Sequence, residues 1–596
     1  MGATVNKLLM LFNKREKKKL FTIFIMMIFA ALFETLGIGL IVPFVGIATN
    51  PSIIQEQEIL AIIFKSLHFQ STNTFLIFSV ILLILIFVIK NLYLLLFLYV
   101  QNKIILNQQI KLSRTLFKEY LSKPYTFHLQ RNSANLLRNV NEEVPKVFQG
   151  IILCGFQLLT ESLVIFCIFV LLLINSFVAT IVASILLGGG IFLFNRIFRK
   201  KLSKLGKKHQ LVSGLMIKWV NQGLGASKEV KVSGKEDFFV DAYSKQSQIN
   251  SNITRYRIML DQSPRLFIET LLVLVVLLTL LIIIMQDITT THILSIMALF
   301  AMAAFRLMPS INRIIAMITT IRYSIPALQV VYEDLFTNKE DFYDQQQKYE
   351  NSSEIVIQSG DKAFTESIEL TDISFRYPNQ SEYSLINISL TIPIGHSVAF
   401  IGESGAGKTT LVDIILGLYS PQKGTILVDG KNLNKIKSIW QQKIGYIPQS
   451  IFLSDDSIRR NVAFGLDNEQ IDDSAVWRAL EQARLKDYVE RLPNKLDTTV
   501  GERGIRLSGG QLQRIGIARA LYHDPEIIFM DEATSALDSE TEKDIMEAID
   551  GLKGEKTLII IAHRLTTIEN CDVVFTIHNG ALVSKKTKIT EAVSMV

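Results

Sequence analysis

Cysteine is nearly absent: only Cys154, Cys167 and Cys571 occur in 596 residues. No two of them have the spacing of a metal or redox pair, so they read as buried or inert thiols. Charge is scarce as well, at 20% of residues against 49% apolar. That scarcity is local: long apolar runs fill residues 20–325, while the remainder has the composition of an ordinary soluble domain. The N-terminus does not read as a cleavable signal peptide, because the first hydrophobic segment is too long and is followed by more of the same. No internal repeat is visible.

What is present divides the chain. Its length exceeds one compact core, so at least two domains are expected. Candidate membrane helices run over 20–48, 74–104, 147–174, 176–198, 265–286 and 291–322, each exceeding the roughly 20 residues that cross about 30 Å of hydrocarbon. The net charge of +7 does not point to nucleic acid. Its basic clusters, "NKREKKK" (13–19) and "RKKLSKLGKK" (199–208), flank apolar runs and fit a membrane surface. "NKLLMLFNKREKKKL", before the first span, reads as a short helix lying on that surface.

Orientation follows from the same residues. The N-terminus and segments 105–146 and 199–264 are rich in Lys and Arg, whereas 49–73, about 175, and 287–290 hold almost none apart from Lys65. Both termini are therefore expected in the cytoplasm. The two long polar segments read as cytoplasmic extensions of the spans, with short connecting helices near 121–130 and 213–225. Ile53, Ile54, Leu60, Ile63 and Phe64 fall at roughly helical intervals, which predicts an external amphipathic helix near 51–67. The expected domains are a membrane domain over 1–325, a polar linker over 326–366, and an α/β domain over 367–596.

"GESGAGKTT" (402–410) fits G-x-x-x-x-G-K-[ST], after the apolar strand "SVAFI" and before the helical pattern "TTLVDIILGL". Gly402, Glu403, Ser404, Gly405, Ala406 and Gly407 form a loop whose glycines let backbone N–H groups turn towards phosphate oxygens at a helix N-terminus. Lys408 is expected to reach the β- and γ-phosphates, and Thr409, followed by Thr410, to offer a hydroxyl to Mg²⁺. "EIIFMDEATSALD" (526–538) places Asp531 at the end of a buried strand, suited to the Mg²⁺ shell. Glu532 follows as a general base for the attacking water.

"RLSGGQLQR" (506–514) carries a family resemblance: with the motifs above, the chain is similar over essentially its whole length to ATP-binding cassette exporters. The resemblance implies an α-helical membrane domain of six transmembrane helices and a C-terminal α/β P-loop nucleotide-binding domain, an ATPase with ATP and Mg²⁺ as ligands. In that family Ser508, Gly509, Gly510 and Gln511 complete the ATP site of the opposite subunit, so one membrane half with one cassette implies a dimer. Intact motifs favour a homodimer, with a heterodimer with a related half as the alternative. Tyr377 resembles the aromatic that stacks on adenine. Gln449 resembles the glutamine that contacts Mg²⁺, Asp538 a residue of the subunit junction, and His563 the histidine at the γ-phosphate.

Charges inside the apolar spans ask for a reason, because a lone one there costs several kcal/mol. Lys90, Arg265 and Arg306 fall at similar depths, and Arg313 lies seven residues beyond Arg306 on the same helix face. One reading is internal pairing, with Glu269, Glu34 and Glu161 as available acids. The other is a basic cavity for a phosphate or pyrophosphate group, which arginine forks suit. "ETLGIGLIVPF" (34–44) and "FRLMPSINRII" (305–315) resemble bacterial flippases of lipid-linked oligosaccharides. That resemblance implies a polyprenyl-pyrophosphate-linked oligosaccharide or similar anionic glycolipid as substrate, in a bacterial cytoplasmic (inner) membrane. Export of peptides or amphipathic drugs is the alternative within the fold, and an ATP-gated channel or membrane receptor the alternative outside it.

Overall fold

The computed structural model describes residues 2–40, 44, 47, 54, 58–66, 69, 71–175, 177–284, 290–337, 364–378, 380–531, 545–547, 549–562, 568 and 570–587. The chain divides into two compact units. The first holds Met1–Lys123 and Arg131–Asp341; the second holds Pro124–Gln130 and Phe342–Val596.

In the first unit, a short helix Gly2–Met10 precedes long helices Lys14–Gly39, Thr72–Ser122, Cys154–Asn175, Phe177–Gly225, Glu236–Ile284 and Thr290–Tyr332. Among the described residues, four segments are long and apolar enough to cross a membrane: Lys14–Gly37, Thr72–Ser122, Ser133–Ile174 and Leu307–Phe336. Thr72–Ser122 leaves Ile77, Ile81, Leu85, Leu92 and Leu95 exposed. Water would penalise that surface and lipid does not. The expected first span, 20–48, is helical to Gly39, and most of its remainder falls outside the described residues. A helix Glu58–Ser66 brings Phe64 against Phe69 and Phe75.

Local chemistry sets the breaks. Ser71 caps Thr72–Ser122 by accepting the Asn73 N–H at 3.3 Å. The helix stops at Ser122 because Pro124 bars Lys123 from helical backbone, and Lys123 is extended there (φ −64°, ψ 147°). Pro145 lies between two π-helical turns, Asn139–Glu143 and Phe148–Leu153, where its missing N–H loosens the helical ladder.

One expectation is corrected. Residues 213–225 are not a separate helix but continue Phe177–Gly225, and the short connecting helix is Ser227–Ser233. Gly206, inside that long helix, is not a stop; a Cβ there would lie 2.6 Å from Tyr323 O, so the glycine admits a close neighbour. The long helix ends at Gly225, and the connecting helix stops at Gly234, left-handed at φ 58°, as helix C-termini prefer.

Polar side chains tie the helices together far from their apolar stretches. Tyr120 donates its hydroxyl to Asp334. Asn139 Nδ2 donates to the same Asp334 Oδ2 at 2.9 Å and to the Tyr120 oxygen at 3.2 Å. All three are buried, and buried polar groups persist only when satisfied in this way.

The second unit carries two sheets. A four-stranded antiparallel sheet has the order β2-β1-β4-β5, with β1 Ser367–Phe375, β2 Leu385–Pro393, β4 Lys423–Val428 and β5 Lys431–Asn432. A six-stranded sheet has the order β10-β9-β3-β8-β7-β6, with β3 Ser397–Ile401, β6 Ile444–Ile447, β7 Ile527–Asp531, β8 Thr557–Ile561, β9 Val573–His578 and β10 Ala581–Thr587. Strands β9, β3, β8, β7 and β6 pair in parallel and β10 is antiparallel. Central β7 and β8 are buried at every residue, which explains their unbroken apolar runs. One core lies between the sheets around Phe400, Phe575 and Trp440, whose indole N–H donates to Ile415 O at 2.9 Å. The other packs the helices Asp473–Gln482 and Gly509–Leu521 on the opposite face.

Candidate functional site

Open parallel sheets bind ligands beyond the carboxyl ends of their strands. Here β3 and β7 flank β8, and Phe400 and Asp531 both register with Ile561. Two strand spacings put their backbones about 9–10 Å apart, so the loop after β3 and the carboxylate ending β7 emerge at one edge.

The loop Gly402–Gly407 is held in its wound shape by contacts that admit no side chain. A Cβ on Gly402 (φ +150°) would sit 2.1 Å from Ile577 O, and one on Gly407 (φ +101°) 2.9 Å from Ser384 O. Gly407 opens the helix Lys408–Ile415 with no side-chain cap, leaving first-turn N–H groups for an anion. Lys408 is buried, and its ammonium donates to Gly402 O at 2.8 Å and Glu403 O at 2.9 Å. Those carbonyls hold it where phosphate oxygens would compete for it. Glu403, Ser404, Gly405 and Thr409 are exposed, while Ala406 and Thr410 are buried.

Tyr377 stands beside this loop, its hydroxyl 2.9 Å from Thr410 Oγ1. Asp531 is buried. Sequence reading missed Asp413, on the same helix as Lys408: its carboxyl is pushed up to about 6, first by burial and then by the charge of Asp531. Neighbouring carboxylates that repel one another, one buried and one half-buried, suit a site which takes a cation. Among the described residues, no three His, Cys, Asp or Glu gather as a metal cage. A Mg²⁺ site of one carboxylate completed by phosphate oxygens and water needs none, and Thr409, Asp531 and the exposed Gln449 supply oxygens of the right kind.

Ser508 and Gly509 are exposed and Gly510 half-buried. Ser508 is the N-cap of Gly509–Leu521 in a reciprocal box: its Oγ accepts the Gln511 N–H at 3.3 Å, and Gln511 Oε1 accepts the Ser508 N–H at 2.9 Å. A second helix N-terminus is thus presented to solvent. Glu532, Asp538 and His563 lie outside the described residues.

Of the intramembrane cations, Arg313 Nε lies 2.6 Å from Glu161 Oε1, so one of the acids available for internal pairing is engaged by Arg313. Lys90 Nζ sits 4.7 Å from the Phe87 ring centroid and close to Gly37. The side chains of Arg265 and Arg306 lie outside the described residues.

Residues 20–308 match the family described as ABC transporter transmembrane region, and residues 385–535 the family ABC transporter. The ATP-dependent lipid A-core flippase of Ralstonia nicotianae is 31% identical over 493 residues, covering 82% of this chain and 80% of the relative. The protein of the same name from Saccharophagus degradans is 31% identical over 485 residues, 80% and 78% of the two chains. Among solved structures, a bacterial Atm1-family ABC exporter with ATP bound shares the fold, with a TM-score of 0.71 at 21% identity over 96% of this chain and 95% of that one.

Proposed function

This chain belongs to the ABC transporters, as a half-transporter that couples ATP hydrolysis to transport, and on that premise we propose that it works as a homodimer that flips an anionic glycolipid across a bacterial cytoplasmic membrane. The basic segments around the spans support a cytoplasmic position for both termini and the nucleotide-binding domain. The observation that carries the substrate reading is the presence of Lys90 and Arg313 on helices otherwise apolar enough to span. Cations are retained at such positions for a polar pathway or a partner. Lipid A-core in the relatives' names makes a glycolipid the natural class, and a polyprenyl-pyrophosphate-linked oligosaccharide is the specific substrate proposed, with Lys90, Arg265, Arg306 and Arg313 along its route.

At the nucleotide site, Lys408 exchanges the Gly402 and Glu403 carbonyls for phosphate oxygens, and Tyr377 stacks on the base. Mg²⁺, held by Thr409, Gln449 and Asp531, would neutralise charge on the phosphates. Glu532 takes the proton of the attacking water and His563 steadies the γ-phosphate. Ser508, Gly509, Gly510 and Gln511 of the partner subunit close the site, with Asp538 at the junction.

The test is reconstitution with defined lipids. Arg306→Gln and Lys90→Gln are expected to keep ATPase activity and lose flipping of a pyrophosphate-linked sugar lipid. Equal flipping by wild type and variants removes these residues from the route. Wild-type flipping of a phosphorylated glycolipid but not of the pyrophosphate lipid keeps the class and replaces the specific substrate.

A further inference from the structure

Tyr377 does not stand alone beside the phosphate loop. The turn after the helix Lys408–Ile415, closed by Gly417 at φ +73° with its N–H donating to Ile414 O, delivers Tyr419 into the interior at 5% exposure. Its ring lies stacked on Phe375 (centroids 5.1 Å, 19°) and edge-on to Tyr377 (5.7 Å, 82°). Phe375 in turn meets Tyr377 edge-on at 5.1 Å. Tyr125, in the short helix Tyr125–Gln130 that groups with the same unit, lies against Tyr419 at 5.8 Å. Burial, followed by the neighbouring Tyr377, Asp413 and Tyr125, pushes the Tyr419 phenol above its ordinary range, so the ring stays neutral.

We propose that Tyr419 is a positioning residue for the nucleotide base: it braces Tyr377 at the angle needed for stacking and is itself seated by Tyr125. The geometry is what aromatic pairs prefer, with edge-on or offset rings 4.5–7 Å apart. Tyr377 sits on a segment just past β1, with its hydroxyl 2.9 Å from Thr410 Oγ1. Without Tyr419 the ring loses one of its two edge-on neighbours, and stacking must then re-order it at a cost in affinity. Tyr125 reaches this cluster from a segment joined at both ends to the first unit, so base affinity depends on a residue outside the cassette sequence.

The proposal rests on Tyr377 as the base-stacking residue, and the experiment separates the two. Full-length protein in detergent is titrated calorimetrically with ATP and with inorganic tripolyphosphate, with EDTA present. The readout is the ratio of the two dissociation constants, which a general loss of folding moves far less than a loss of base contact. Tyr419→Leu is expected to weaken ATP about three- to tenfold with tripolyphosphate unchanged, Tyr419→Phe to restore the wild-type ratio, and Tyr125→Ala to show a smaller shift of the same sign. A wild-type ratio in Tyr419→Leu, or equal weakening of both ligands, overturns the role of Tyr419. If Tyr377→Ala also leaves the ratio unmoved, the base-stacking reading falls too; if it alone moves the ratio, only the bracing falls.

Discussion

Ser508 has a structural and a proposed ligand-binding role, and one substitution separates them. Its Oγ caps the helix Gly509–Leu521 through the Gln511 N–H. Ser508→Ala deletes the cap, at a cost of about 0.5–2 kcal/mol, or about 1–8 °C in the melting temperature of a domain of this size. Ser508→Asp keeps an acceptor as good as serine at that position and adds a charge that the helix dipole favours. Its stability should stay within about 0.5 kcal/mol of wild type. Against a nucleotide the order inverts. A carboxylate about 5 Å from a phosphate charge, at an effective dielectric near 20, is repelled by about 3 kcal/mol, roughly a hundredfold in affinity. The alanine variant should therefore be the less stable and the more active, and the aspartate variant stable and nearly inactive. Thermal unfolding of the detergent-solubilised protein and ATPase rates in proteoliposomes measure the two rankings. ATPase activity in Ser508→Asp above a third of wild type would refute the placement of this helix N-terminus at a nucleotide.

Glu532→Gln should bind ATP and lose most hydrolysis, accumulating as an ATP-bound dimer in nucleotide-trapping assays, because the amide keeps the shape without the base. Near-normal turnover would dismiss Glu532 as base. Gly402→Ala, whose Cβ would meet Ile577 O at 2.1 Å, should cost more than about 3 kcal/mol and abolish ATP binding. Gly405→Ala (φ +83°, open space) should cost only about 1–2 kcal/mol, and equal melting temperatures for the two would contradict the loop geometry. Glu161→Gln should destabilise the membrane unit by about 1–3 kcal/mol, less than a fully buried pair because the Arg313 side chain is 45% exposed. Glu161→Gln/Arg313→Gln together should recover most of that, and a double variant no more stable than the single would show that the two do not act as a pair.

The features legible in the sequence are those written in local order. The phosphate loop is nine consecutive residues between a strand and a helix, and β3 and Lys408–Ile415 lie where that order puts them. The serine cap of Gly509–Leu521 is encoded within four residues. Break points were less legible, because a glycine inside a helix looks the same in sequence whether it ends the helix or admits a neighbour. Gly206 does the second and Gly234 the first. Tyr419 carried no signal at all. It lies 42 positions from Tyr377 and 294 from Tyr125, and only the closure of two sheets and the insertion of Pro124–Gln130 bring the three rings together.

The intramembrane arginines show the same limit in its sharpest form. Helical periodicity places Arg306 and Arg313 on one face, and periodicity cannot say what faces them. Two physical demands compete there: each cation must be neutralised, and an anionic headgroup needs at least one that is not. Glu161 meets the first demand at Arg313. A guanidinium has five donors, so a carboxylate on Nε leaves its outer N–H groups able to bind a phosphate oxygen, and Arg313 is half exposed. The pair therefore does not remove Arg313 from a substrate route. It converts Arg313 from a free charge into a fixed fork, with little net charge to attract a headgroup from a distance and a fixed geometry to bind one that has arrived. On the proposed route, long-range attraction is then assigned to Arg265 and Arg306. On that division of labour, added salt should weaken flipping through those two and leave the contribution of Arg313 nearly unchanged, since screening acts on separated charges far more than on contacts.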